Sequence, residues 1–183
     1  MRLLVTGSDT IPGRNILAAL KAKGADCVGL DSEWPLQADA MAQVADIAPG
    51  LIINAHELAD IALCEEDLPL CKFHNEEVVR RLAEYAGEHQ VPMIQMSSCQ
   101  VFDGHKMNPY KASNQPNPIN NYGLSKWHAE RHLCNCLPHS LVLRLGWLIE
   151  HGADSVLGQL TQAKKSGTIA YFSDEHRGNP TAG

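Results

Sequence analysis

Tyr122 and Lys126 stand four positions apart in the run Asn121-Tyr122-Gly123-Leu124-Ser125-Lys126. On a helix this spacing puts the phenol and the ammonium one turn apart on the same face. A nearby ammonium stabilises phenolate and draws a tyrosine pKa down from about 10 toward neutrality, where the group can pass a proton to or from a substrate oxygen. The expectation is therefore an acid and its tuner. The alternative reading is an exposed aromatic beside a solvated lysine, and the rest of the chain must decide between them by supplying a cofactor site and a third polar group.

A third group stands upstream in Ser97-Ser98-Cys99-Gln100-Val101-Phe102-Asp103-Gly104, directly after the apolar run Met93-Ile94-Gln95-Met96. Ligands of open α/β sheets gather at the carboxyl ends of strands, so Ser98 is placed to hydrogen-bond a carbonyl. Its other reading is a serine that satisfies loose backbone groups. A cofactor site is offered by Thr6-Gly7-Ser8-Asp9-Thr10-Ile11-Pro12-Gly13, where two glycines bracket a turn from strand to helix whose amides could hold a pyrophosphate. Asp31 lies 18 positions past Gly13, at the end of the second apolar run, where a carboxylate can accept hydrogen bonds from an adenosine ribose. It would repel a 2′-phosphate, which tilts the expected cofactor from NADP toward NAD.

The elements that must position these groups follow from periodicity. Apolar runs at Leu3-Leu4-Val5, residues 26 to 30, Leu51-Ile52-Ile53, Met93 to Met96 and Leu141 to Leu145 read as short buried strands. Helical spacing falls between them: from Asn15 to Lys23, through Met41 and Val44, from about Cys71 to Glu88, and after Tyr122. Alternation of this kind implies right-handed crossovers and a doubly wound parallel α/β sheet covered on both faces. The longest irregular piece is the Pro- and Asn-rich loop from Met107 to Asn120.

Composition narrows the function classes. With 183 residues the chain is long enough for one domain with a substantial core. A net charge of -6 with no basic run argues against a nucleic-acid partner. No stretch of 18 apolar residues is present, and the apolar N-terminal run is too short for a signal peptide, so a soluble cytoplasmic protein is expected. Six scattered cysteines fit reduced thiols. His128, His132, Cys134 and Cys136 are metal-capable types, but their spacing matches no zinc pattern and no metal is expected. Cys99 lacks an evident base, so a packed thiol is favoured over a nucleophile. Phe102 and Trp147 read as core or pocket wall.

Taken in order, Thr6-Gly7 to Gly13, Asn54-Ala55, Asn75, Ser97-Ser98 to Gly104, Tyr122 to Lys126, Leu143-Arg144 and Gly178-Asn179-Pro180-Thr181 resemble the extended short-chain dehydrogenase/reductase superfamily. The Val101-Phe102-Asp103-Gly104 run and the late Gly-x-Pro-Thr resemble its dTDP-4-dehydrorhamnose reductase family. The resemblance implies a Rossmann-like domain over residues 1–150, and over 151–183 the start of a truncated substrate-binding region. It implies reduction of a nucleotide-activated keto-sugar, with hydride from NAD or NADP. Tyr122 would donate the proton, Lys126 would bind the nicotinamide ribose, and Ser98 would polarise the carbonyl. Thr6, Gly7, Thr10, Ile11, Gly13, Asp31, Asn54 and Ala55 would hold the cofactor, Cys99, Gln100 and Phe102 would join Ser98 at the sugar, and Asn75 would support the site. A homodimer is implied as well. Three positions depart from the family pattern: Thr10 replaces a turn glycine, Cys99-Gln100 replace Asp-Tyr, and His56-Glu57 follow Asn54-Ala55. These departures keep open a catalytically silent binding or regulatory protein on the same fold.

Overall fold

The computed structural model describes residues 1–146, 148–149, 161–162, 165–166 and 181–182. Five parallel strands form one sheet: β1 (Leu3–Thr6), β2 (Cys27–Leu30), β3 (Leu51–Asn54), β4 (Met93–Ser98) and β5 (Leu141–Leu145), in the order β2-β1-β3-β4-β5. Leu3 pairs with both Cys27 and Leu51, and Ile94 pairs with Leu141, so all carboxyl ends emerge on one edge. The strand order reverses between β1 and β3, which opens a crevice there. The connections are α1 (Ile11–Ala22), α2 (Ala40–Ile47), α3 (Ile61–Glu66), α4 (Leu68–Lys72), α5 (Val78–Glu88) and α6 (Asn121–Cys136). A second, two-stranded pairing joins β6 (Leu148–Ile149) to β7 (Thr181–Ala182).

Alternation along each strand divides the core between the two faces. Leu4, Ile52 and Met93 pack with Trp34, Val44, Val78, Leu82 and Leu133, beneath α2, α5 and α6. Their neighbours Val5 and Ile53 point the other way, packing with Met96 against Ile16, Leu17 and Leu20 of α1. The doubly wound parallel sheet expected from the sequence is present. Two details differ. Helix α1 starts at Ile11, four residues before the apolar spacing announces it, because Thr10 caps it and Pro12 suits its first turn. The expected helix from Cys71 to Glu88 is divided: α4 and α5 are joined by a wide π turn over Phe73–Glu77, which carries Asn75.

Two chains of polar side chains cross the buried sheet edge. The Thr6 hydroxyl donates to Asn54 Oδ1, Asn54 Nδ2 donates to Gln95 Oε1 at 2.7 Å, and Gln95 Nε2 donates to the Met96 carbonyl at 2.7 Å. This ties the ends of β1, β3 and β4 together. Further along, Ser97 donates to Glu130 of α6, whose carboxylate is gripped by Arg144 of β5 at 2.6 Å. These bonds fix the sheet edge on which the functional side chains stand.

Candidate active site

Helix α6 opens with Asn120, whose side chain accepts from the Gly123 amide at 2.7 Å, and Glu65 accepts the Asn121 backbone and side-chain N–H groups, both at 2.7 Å. A Cβ on Gly123 would lie 2.1 Å from the Gln100 carbonyl oxygen, so only glycine lets the helix approach the loop after β4 this closely. Tyr122 and Lys126 then face inward one turn apart, both buried. Between them comes a group from a different element. Glu57, on the loop after β3, accepts from Tyr122 Oη at 2.9 Å and from Lys126 Nζ at 2.9 Å, through the same oxygen, Oε2.

This carboxylate reverses an expectation. Burial, and then the Glu57 charge, hold the Tyr122 phenol well above the ordinary tyrosine range, with the Ser98 hydroxyl opposing them in part. The ammonium that was to lower the phenol is bonded to Glu57 instead. Tyr122 is therefore a protonated donor at neutral pH. Around it lies a cavity of about 390 Å³ lined by Ile11, Pro12, Glu57, Ser98, Gln100 and Tyr122, among others.

The first turn meets this cavity at Ile11 and Pro12. Gly7 has φ 64°, and a Cβ on Gly13 would lie 1.9 Å from the Gly7 carbonyl oxygen, so helix and turn touch backbone to backbone. Thr10 does not fill the turn. Its hydroxyl donates to Gly7 O at 2.7 Å and accepts from the Gly13 amide at 3.2 Å, turned toward the protein as a helix cap. Pro12 has no N–H, so the first helical turn offers the Ile11 amide to an anion. Gly13→Ala is expected to destabilise the fold by about 1–3 kcal/mol through this clash, which denaturant titration checks.

Ile11 and Pro12 of the turn thus line one cavity with Ser98 and Tyr122. The family described as RmlD substrate binding domain matches residues 1–183. The chain belongs to this family. It is 32% identical over 185 residues to the dTDP-4-dehydrorhamnose reductase of Aggregatibacter actinomycetemcomitans, covering 98% of this chain and 63% of that protein. The solved dTDP-4-dehydrorhamnose reductase of Clostridium acetobutylicum is 25% identical with a TM-score of 0.84, over 91% of this chain and 60% of that one. The Bacillus anthracis reductase solved with NADP, 21% identical, shares the fold with a TM-score of 0.83, over 90% of this chain and 60% of that one. The chain therefore spans about 60–63% of the length of these relatives.

In this RmlD-family chain the other expected residues take distinct places. Thr6, Asn54 and Ala55 are fully buried beneath the turn, and Asn54 Oδ1 also accepts the His56 amide at 3.2 Å. Asp31 is exposed at the end of β2, and its Oδ1 accepts the Glu33 and Trp34 amides, both at 3.1 Å. Ser98 and Gln100 line the cavity with Tyr122, whereas Cys99 and Phe102 are not among its lining residues. Burial pushes the Cys99 thiol up, away from a nucleophilic thiolate. Phe102 stacks on Tyr110 at 4.3 Å with Arg144 over its ring, organising the loop after β4. Asn75 bonds both backbone groups of Leu58, at 2.9 and 3.1 Å, and donates to the Ser125 hydroxyl of α6 at 3.1 Å.

Three further features belong to the same neighbourhood. His56 is 1% exposed, contacts His74 at 2.9 Å through Nε2, and has an unpartnered, buried Nδ1. Burial and the neighbouring His74 and Lys126 pull it down to about 4, so it is neutral near pH 7. Glu57 has a sequence signal, an acid at the carboxyl end of a buried strand. Its joint contact with Tyr122 and Lys126 has none, since the two sides are 65 and 69 positions apart. All six cysteines are free. His132 Nε2 lies 3.2 Å from Cys136 Sγ, and among the described residues no three His, Cys, Asp or Glu side chains are grouped to hold a metal. Trp147 and residues 178–180 of the late motif lie outside the described residues. No helix among the described residues is long and apolar enough to cross a membrane.

Proposed function

We propose that this chain carries the reaction site of an NAD(P)-dependent reductase that converts the ketone of a nucleotide-activated sugar, of the dTDP-4-dehydrorhamnose type, into an alcohol. The observation that carries the reading is the convergence of Ser98, Tyr122 and Lys126 beside the cavity that the β1–α1 turn adjoins. The names of the A. actinomycetemcomitans and C. acetobutylicum reductases supply the substrate class.

The turn fits a dinucleotide. Gly7 and Gly13 bring turn and helix together backbone to backbone, and the Thr10 hydroxyl bonds back onto both glycines. Gly7, Ile11 and Gly13 would hold the diphosphate, with Thr6, Thr10, Asn54 and Ala55 supporting the turn from beneath. Asp31 Oδ2 would accept from the adenosine ribose. A bound reduced nicotinamide supplies the hydride. Within the chain, Tyr122 donates the proton to the carbonyl oxygen, and its raised pKa keeps it loaded for that step. Ser98, buried at the end of β4, polarises the same oxygen. Lys126 stabilises the phenolate left behind and holds the ribose, and Asn75 locks the loop after β3 against α6.

Asp31 makes NADH the preferred partner. Asp31→Asn should shift the NADH/NADPH affinity ratio toward NADPH by about fivefold, the effect of removing a ~1 kcal/mol repulsion between exposed charges. Calorimetric titration of both dinucleotides reads it directly. A second reading, a catalytically silent sugar-nucleotide-binding or regulatory protein, is favoured by one observation: Lys126 is already bonded to Glu57. Oxidation of NADH or NADPH on adding a dTDP-linked 4-keto sugar separates the two. Steady turnover supports the reductase, and dinucleotide binding without turnover supports the silent protein.

A further inference from the structure

The residue that the family resemblance does not account for is Glu57. Its carboxylate reaches the dyad from the loop after β3, and this loop is not free to swing. Asn54 holds the His56 amide on one side of Glu57, and Asn75 holds both backbone groups of Leu58 on the other. Asn75 also donates to Ser125, which stands between Tyr122 and Lys126 on α6 and whose hydroxyl donates to the Tyr122 carbonyl at 2.7 Å. Loop and helix are one frame, and Glu57 Oε2 sits in it at 2.9 Å from both the phenol and the ammonium. The Lys126 side chain is 2% exposed and that of Glu57 is 18% exposed, so the contact is screened far less than a surface ion pair.

Given the reductase reading above, we infer that Glu57 is a positioning residue of the reaction: it fixes the Tyr122 hydroxyl and the Lys126 ammonium in one register and keeps the phenol as proton donor rather than phenolate. The charge balance follows from the groups around the phenol. Glu57 faces it from the loop after β3 and Ser98 and Cys99 from the end of β4, Cys64 of α3 and Cys71 of α4 pack with its ring, and Lys126 of its own helix meets the same Glu57 oxygen. Glu65 stands at the start of α6 on the Asn121 amide. Burial favours the protonated phenol first, and the Glu57 charge is the next largest influence in the same direction, with the Ser98 hydroxyl opposing them. In the reduction the O–H bond of Tyr122 breaks, its proton goes to the carbonyl oxygen, and the resulting phenolate faces Lys126. A phenol kept fully protonated is available as donor throughout the neutral range, and because its phenolate is correspondingly the stronger base, the charge left on it must be offset by Lys126.

The deciding titration needs neither dinucleotide nor sugar. The phenolate absorbance of the whole chain is titrated with base in the wild type, Glu57→Gln and Tyr122→Phe. The chain has four tyrosines, so the difference between wild type and Tyr122→Phe isolates the Tyr122 step. Removing the Glu57 charge is expected to move this step to lower pH. In turnover, the alkaline limb of kcat should move down with it while the KM for the sugar stays unchanged. A purely structural ion pair would lower the melting temperature and leave the Tyr122 step in place, and that result overturns the proposal. Glu57→Ala is read in the same way should Glu57→Gln not fold; failure of both to fold also overturns it, by making Glu57 a requirement of the fold. A shifted step without turnover of any keto-sugar would sink the reductase reading and leave the control of the phenol by Glu57 standing.

Discussion

Tyr122→Phe is expected to lower turnover of a keto-sugar by about 10²–10⁴-fold, the range for removal of a positioned general acid. Dinucleotide binding should be unchanged within error. The substitution deletes one oxygen from a buried ring that otherwise packs with Cys64, Cys71, Leu58 and Ile61, so the apolar contacts remain. Glu57 Oε2 keeps its bond to Lys126, and the stability loss should stay within about 1.5–3 kcal/mol, one hydrogen bond to a charged group. Steady-state kinetics together with calorimetry separate this outcome from unfolding. Turnover at the wild-type rate would remove Tyr122 from the chemistry altogether.

The second large effect concerns stability. Lys126→Met keeps most of the buried stem but takes the ammonium away from Glu57, leaving a largely buried carboxylate with only the phenol to face. Breaking a buried pair from one side costs about 3–5 kcal/mol, and the 18% exposure of Glu57 places this case near the low end. For a chain of 183 residues this corresponds to a fall in Tm of roughly 6–12 °C. Glu57→Gln should cost less, because the amide oxygen still accepts from Lys126. The double variant Glu57→Gln/Lys126→Met should recover a large part of the Lys126→Met loss, since no unpaired charge remains. Thermal melts of the four proteins read the coupling; strictly additive losses would mean that the contact carries no energy of its own.

Much of the sheet was legible because each strand is an apolar run closed by a turn residue, and the helices between them repeat at helical spacing. Element starts were less legible. Helix α1 begins at a Thr10 cap with no apolar signal of its own, and the π turn at Phe73–Glu77 depends on the inward bonding of Asn75 to Leu58 and Ser125, a tertiary contact across 17 and 50 positions. Thr10 stood out only as a departure from the family's turn glycine, because a sequence gives the side chain but not its rotamer. In the structure the hydroxyl turns back onto Gly7 and Gly13. Ser98, Tyr122 and Lys126 were visible as residue types at informative spacings. The direction of the Tyr122 pKa was not, because it depends on burial and on Glu57, a partner from the far side of the crevice. Periodicity speaks to neighbours along one element; the charge balance of a site is set by neighbours in space.

In the proposed reduction, hydride and proton meet at one sugar carbonyl in the cavity beside Ser98 and Tyr122. Incubating the protein with a dTDP-linked 4-keto sugar and reduced dinucleotide deuterated at both nicotinamide C4 positions, then measuring the sugar product by mass spectrometry, tests it most directly. The expected product is an alcohol carrying one deuterium at the former carbonyl carbon, formed by the wild type and absent with Tyr122→Phe. Recovery of unlabelled, unreduced sugar from protein that has bound the dinucleotide would contradict it.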